Sequence, residues 1–272
     1  MASYLEANRA NWDDRVAGHV ASRDYDVDGL AADPKRIRPV VTFAHREVGK
    51  VAGKSLLHLQ CHIGTDTISW ARLGAKVTGL DFSQKSIEAA KQLAKTSGVN
   101  VRFVLSDVYD APSVLRKKFD VVYTGVGALC WLPDVKRWAK VVAACLRPGG
   151  LFFVHDIHPV VLALDYEWDT ANPAFQNPYF ETATPRAVDS AVSYAGTARL
   201  HHSRHYEWNH GLGETINALI EAGLQVASVG EYPPKSPGVA GLTWSSNPAA
   251  DGVLSRNPER VPLMFSIKAL KI

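Results

Sequence analysis

A strand, a tight turn and a helix, followed by a second strand that ends on an acid, constrain this chain more than any other feature. Residues 54–83 read KSLLHLQCHIGTDTISWARLGAKVTGLDFS. Leu56, Leu57 and Leu59 make a short apolar strand, and the turn after it closes at Gly64. Ile68, Trp70, Ala71 and Leu73 then recur as the apolar positions of a helix. Gly74 stops that helix, and AKVTGL forms a second strand running into Asp81. Such a unit is a nucleoside-binding half-site: the turn lets backbone approach the ligand, and the carboxylate accepts hydrogen bonds from both ribose hydroxyls. Asp81 lies 17 residues past Gly64, where the ribose would be.

Turn chemistry separates the two ligand classes that such a half-site serves. A dinucleotide needs G-x-G-x-x-G, because its pyrophosphate rests on bare backbone N–H groups at a helix N-terminus. Here the turn is His58-Leu59-Gln60-Cys61-His62-Ile63-Gly64. It resembles the acid-x-G-x-G-x-G turn of class I S-adenosylmethionine methyltransferases. His58 stands at the usual acid, Gln60 and His62 stand at the first two glycines, and Gly64 remains. S-adenosylmethionine carries no phosphate, so the lost glycines speak more strongly against a nicotinamide oxidoreductase than against a methyltransferase. The wording of 56–83, of GALCWLPD (127–134) and of YEWNH-x-L-G-E (206–214) is similar to a bacterial small-molecule subgroup of these enzymes.

The chain alternates strand and helix from 55 to 155. Strands are predicted at 55–60, 76–80, 101–105, 119–124 and 150–155, with helices near 65–73, 84–97, 112–117 and 134–146. Right-handed crossovers turn that alternation into a parallel sheet with helices on both faces. A helix at 211–222 and strands at 224–230 and 262–270 complete the expectation: an α/β, Rossmann-like, seven-stranded, mostly parallel sheet with an antiparallel last strand. Residues 1–272 are read as one domain, with 1–50 as a helical cover and 156–209 as a substrate-side insertion after the fifth strand. In the cover, a helix over 3–20 would bury Tyr4, Leu5, Trp12 and Val16; a polar link follows over 22–39, then a short helix over 40–49. The segment 232–258, rich in Pro, Gly and Asn, reads as a long loop.

Net charge is +3, and the longest basic run, Arg116-Lys117-Lys118, sits beside Asp120. That is no footprint for a nucleic acid. No apolar stretch approaches the roughly 20 residues of a membrane span. Three cysteines without a CxxC pair point to a cytoplasmic setting. The expected partner is a small-molecule acceptor, and a homodimer stays open.

The resemblance implies S-adenosylmethionine as cofactor and S-adenosylhomocysteine as product. It implies Gln60, His62, Gly64, Asp81, Phe82, Asp107, Val108 and Gly125 as cofactor contacts. Six of the ten histidines fall between 155 and 210, and the insertion holds many aromatics, among them Tyr166, Trp168, Tyr179, Phe180, Tyr194 and Tyr206. Tyr25, Trp131 and Tyr206 are the candidate acceptor contacts, and Asp156, His158, Glu207 and His210 the candidate bases. No metal is expected: His58-x-x-Cys61-His62 lacks further ligands, and His201, His205 and Glu207 share a strand face without a full set. Two alternatives remain. One is C-methylation of a prenyl diphosphate or alkene, with Arg186, Arg199 and Arg204 on a diphosphate and magnesium beside it. The other is a catalytically silent S-adenosylmethionine-binding protein.

Overall fold

A computed structural model describes residues 2–164, 174–195, 199–233 and 261–272. Three helices, α1 (Ala2–Ala21), α2 (Val27–Ala32) and α3 (Pro39–Val48), precede the alternating region. That region runs β1 (Ser55–Leu59), α4 (Thr65–Arg72), β2 (Lys76–Asp81), α5 (Gln84–Thr96), β3 (Arg102–Leu105), α6 (Ala111–Leu115), β4 (Phe119–Thr124), α7 (Val135–Cys145) and β5 (Leu146–Ile157). After α8 (Pro159–Ala163) comes a separate hairpin of β6 (Arg186–Asp189) and β7 (Arg204–Glu207). The chain then returns through α9 (Leu212–Glu221), β8 (Leu224–Tyr232) and β9 (Met264–Lys271).

The main sheet has the order β3-β2-β1-β4-β5-β9-β8. The first five strands pair in parallel, and β9 runs antiparallel to both β5 and β8. All five residues of β1 are buried, as a central strand covered on both faces requires. Alternate residues feed two cores. Leu57, Leu59, Val122 and Phe152 pack with Trp138 of α7 and Leu219 of α9. Leu56, Val121, Tyr123 and Phe153 pack with Trp70 of α4 and Val41 and Ala44 of α3. The order reverses between β1 and β4, so a crevice opens beyond their carboxyl ends.

Several expectations need correction. The polar link over 22–39 contains α2, because the Asp26 carboxylate accepts from Gly29 N and caps a helical turn. The helix expected over 112–117 stops at Leu115, where Arg116 turns left-handed with φ 46°. β5 begins at Leu146, earlier than expected, and includes the Arg147-Pro148-Gly149-Gly150 turn. In α1 Val16 is buried as expected and Tyr4 and Trp12 are half-buried, but Leu5 is exposed and the inward face is mainly polar, with Asn8, Asn11, Arg15 and His19 buried at spacings of 3, 4 and 4. Most of the loop expected over 232–258, together with Tyr166 and Trp168, lies outside the described residues. Among the described residues no helix is long and apolar enough to cross a membrane.

Candidate active site

The turn after β1 keeps a glycine-like backbone with side chains attached. Gln60 and His62 have φ of 54° and 50°, beside 81° at Gly64. Left-handed backbone costs a non-glycine residue roughly 1–2 kcal/mol, so this turn holds strain at the mouth of the crevice. Only Gly64 is required by packing: a Cβ there would stand 2.8 Å from the Ala90 Cβ. The Gln60 amide donates to the Ala128 carbonyl at 2.8 Å and ties the turn to the loop after β4. Its Oε1 is buried without a partner. His58 is buried at the end of β1, with Nδ1 2.8 Å from Thr67 Oγ1, and burial pulls its pKa down to about 3.

Asp81 binds the two nucleoside-side turns together. One carboxylate oxygen accepts from His62 N at 2.8 Å and the other from Ser83 N at 2.9 Å. Burial pushes its pKa up to about 6 against those bonds. A carboxylate offers about four lone-pair directions, so these bonds leave acceptor capacity for a diol. Phe82 is half-buried beside it, and Val108 is buried. Asp107 spends one oxygen on Tyr109 N as a helix cap, which leaves the other for a ligand amine. A Cβ on Gly125 would lie 3.4 Å from His58 Nε2 and 3.5 Å from the Tyr123 hydroxyl.

The polar face of α1 closes over this turn. Asp13 accepts from Ser83 Oγ and Lys85 N at the start of α5. Asn8 clamps β7 from both sides, donating to the Tyr206 carbonyl at 2.8 Å and accepting from Tyr206 N at 2.7 Å. Asn11 donates to the His202 carbonyl and accepts from Arg15 Nε, both at 2.6 Å. His19 Nδ1 is 3.0 Å from His62 Nε2, and His19 Nε2 is 2.6 Å from Ser193 Oγ. Tyr25 stacks on His19 with ring centres 5.1 Å apart, and its hydroxyl meets that of Tyr194. Trp12 lies 4.9 Å from the His62 ring and 5.0 Å from Trp131. Tyr25 lies 5.3 Å from the His62 ring, and Trp131 reaches the turn through Trp12. Trp12, Arg15, His19, Ser193 and Tyr194 join them, unassigned by the sequence reading; the 3-4-4 spacing of polar residues in α1 is the signal that could have revealed the helix members.

The candidate bases do not converge there. Asp156 accepts from the backbone N–H groups of Gly127, Ala128, Leu129 and Ile157, so it holds the loop after β4 in place. His158 accepts from Val160 N through Nδ1, which leaves Nε2–H to donate to Glu231 at 2.9 Å. His210 points Nε2 at the Leu129 and Leu132 carbonyls, and Glu181 stands 2.8 Å from its Nδ1. Asp156 and His158 are engaged by these bonds, whereas the buried Nδ1 of His210 approaches Glu181 without forming a hydrogen bond. Glu207 pairs with His205 at 3.2 Å and Arg186 at 3.8 Å. Burial pushes the Glu207 pKa up, but those partners outweigh it and leave it lowered. It lines a cleft of about 180 Å³ with Arg186, Trp208 and Asn209. The Tyr206 ring sits against Tyr4 of α1, 4.6 Å away. Among the described residues no group of His, Cys, Asp and Glu could hold a metal ion.

Residues 56–150 match a family model described as a methyltransferase domain. By that match residues 56–150 form a methyltransferase domain, and the fold is that of S-adenosylmethionine-dependent methyltransferases. Curated relatives include the ubiquinone biosynthesis O-methyltransferase of Serratia proteamaculans, 32% identical over 140 residues, 51% of this chain and 58% of that protein. The corresponding protein of Escherichia coli O157:H7 is 33% identical over 135 residues, 49% of this chain and 56% of that one. The chain thus spans little more than half the length of these relatives. A solved methyltransferase from Mesorhizobium loti shares the fold with TM-score 0.61 at 23% identity, covering 85% of this chain and 98% of that one. A geranyl diphosphate C-methyltransferase from Streptomyces coelicolor A3(2) gives 0.55 at 13% identity, covering 85% and 78%.

The crevice of this methyltransferase domain suits its cofactor. Gln60 Oε1 and the Tyr123 hydroxyl are buried without partners near the turn, as a cationic, polar methionine moiety would need. Asp81 ends β2 and Asp107 follows β3, both at the carboxyl edge of the sheet.

Proposed function

We propose that this protein transfers the methyl group of S-adenosylmethionine to a small aromatic acceptor held between α1 and the turn after β1. The observation that carries the reading is the ring assembly over that turn: Trp12 bridges His62 of the turn and Trp131 of the β4 loop. Gln60, Gly64, Asp81, Asp107 and Gly125 would hold the cofactor, which supplies a methyl group on a sulfonium already activated for displacement. The protein's share is alignment and exclusion of water, and alignment alone can contribute about 7–11 kcal/mol. Asp156 contributes by fixing Gly127–Leu129 through three backbone N–H bonds.

His62 is placed to take a proton from an acceptor hydroxyl. Its Nε2 faces His19, and no hydrogen bond engages its Nδ1 among the described residues. Burial pulls His62 well below its ordinary pKa and His19 to about 3, so both are neutral near pH 7. A base this weak suits an already acidic O–H, such as a phenol. The names of the curated relatives, O-methyltransferases of ubiquinone biosynthesis, agree with oxygen as the accepting atom. The arginines of the diphosphate alternative favour it less: Arg186 faces Glu207 and Arg204 faces Asp189.

Labelled S-adenosylmethionine incubated with a panel of phenols tests the reading. Label in an aryl methyl ether is expected, with turnover lost in His62→Asn while S-adenosylhomocysteine still binds. Binding of S-adenosylhomocysteine without transfer to any acceptor would favour a silent binding protein. Label in a prenyl diphosphate alone would favour the C-methylation reading.

A further inference from the structure

The side chain of Arg15 is out of place for a structural residue. It is 5% exposed, yet it forms no ion pair with any carboxylate within 4 Å among the described residues. Its only hydrogen bond there is Nε to Asn11, so neither terminal nitrogen has an acceptor. The guanidinium instead lies over three rings, 5.3 Å from the centre of Trp12, 5.5 Å from Trp131 and 5.9 Å from Tyr194. Glu207 is the carboxylate that bears on it electrostatically, but Glu207 is taken by His205 and Arg186. Desolvation lowers the Arg15 pKa, and a guanidinium stays charged regardless. An ionised side chain removed from water normally has a counter-charge, because desolvation is otherwise uncompensated. Cation–π contacts return only part of that cost, which leaves the charge under-compensated.

We infer that Arg15 is an anion-recognising residue of the acceptor site, and that the acceptor is an aromatic compound bearing a carboxylate or phosphate. The inference rests on the small-molecule methyltransferase reading and names its substrate class. The rings that cage Arg15 run on to the turn after β1: Trp12 lies against His62, and Trp131 lies against Trp12. An aromatic acceptor can therefore slot against these indoles with its anion on the two terminal nitrogens of Arg15. A planar fork matches a carboxylate or phosphate in bidentate fashion, which a lysine ammonium does not. Asn11 holds the fork's orientation through Nε, and its own amide is anchored on the His202 carbonyl.

The test uses the full chain saturated with S-adenosylhomocysteine and reads tryptophan fluorescence during titration with benzoate, phenyl phosphate and benzamide. At least one anion is expected to bind about tenfold or more tightly than the neutral amide, a difference near 1.4 kcal/mol. Arg15→Met should erase that preference and Arg15→Lys should keep part of it. Retained binding of S-adenosylhomocysteine shows that each variant folds, and Arg15→Gln replaces Arg15→Met if that variant does not. Equal binding of the three probes, no saturation by either anion, or a preference surviving in the neutral variant would overturn the inference while leaving the methyltransferase reading intact. Failure of the wild-type chain to bind S-adenosylhomocysteine would overturn that reading and the inference with it.

Discussion

Two helices of similar cylindrical shape, α7 and α1, bury opposite chemistry. The inward face of α7 presents Val135, Trp138, Val142 and Cys145, and Trp138 meets Phe152 of β5 edge-on at 5.4 Å. The inward face of α1 presents Asn8, Asn11, Arg15 and His19. Apolar burial explains why α7 is where it is, since each large side chain contributes on the order of 1.5–3 kcal/mol. Among its apolar residues α1 buries Val16, with Tyr4 and Trp12 in ring contacts. It is attached by amide-to-backbone bonds to β7 and by Asp13 to the start of α5. A net hydrogen bond contributes only about 1 kcal/mol, so α1 is docked by many weak, directional contacts. The lesson is that a buried polar helix face marks a cover over a site, whereas a buried apolar face marks a wall of the core.

The contrast can be broken most forcefully from the α7 side. Trp138→Ala is expected to destabilise the fold by about 3–5 kcal/mol, measured by denaturant unfolding; a loss under 1 kcal/mol would mean that α7 is not the wall described. Next in size is the nucleoside acid. Asp81→Ala should weaken S-adenosylhomocysteine about a hundredfold in calorimetry, since it removes charge-assisted bonds worth about 1.5–3 kcal/mol each. Unchanged affinity would reduce Asp81 to a turn residue.

On the α1 side the expected losses are smaller and of a different kind. Asn11→Ala leaves the His202 carbonyl and Arg15 Nε without partners and should cost about 1–2 kcal/mol. Amide exchange should quicken in α1 but not in α7. Equal quickening in both helices would mean that cover and core open as one unit.

The pH dependence separates ligand from fold. Burial raises Asp81 and Asp156 to about 6. Between the ordinary carboxylate value near 4 and about 6, the folded state holds more protons than the unfolded one. These two groups therefore make the unliganded protein lose stability as pH rises through that window. A ribose diol needs the ionised Asp81, so S-adenosylhomocysteine affinity should instead rise with pH, by up to about tenfold across pH 6. Parallel trends in the two measurements would exclude Asp81 as the linked group.

The smallest effect concerns the strained turn. At position 60, glycine should be more stable than alanine by about 1 kcal/mol, because both lack the Ala128 bond and differ only in tolerance of φ 54°. Equal stabilities would show that the left-handed backbone carries no strain.

The alternating region was legible because its signals are local. Leu56, Leu57 and Leu59 mark a buried strand, Gly64 and Gly74 punctuate a helix, and Asp81 ends the next strand, all within 30 residues. The candidate bases were legible only as residue types. Asp156 and His210 are titratable groups at plausible positions, yet what each does depends on where the backbone of 127–132 comes to lie.

The sequence by itself determined the sheet and its order of elements and pointed to a nucleoside half-site, because hydrophobic period and turn chemistry act over a few residues and need no distant partner. Tertiary structure decided which side chains meet over the cofactor turn. Asn8 finds Tyr206 across 198 positions and His19 finds Ser193 across 174. Pairings of that reach leave no periodic trace, since each is a single directional contact made only after both backbones have been placed.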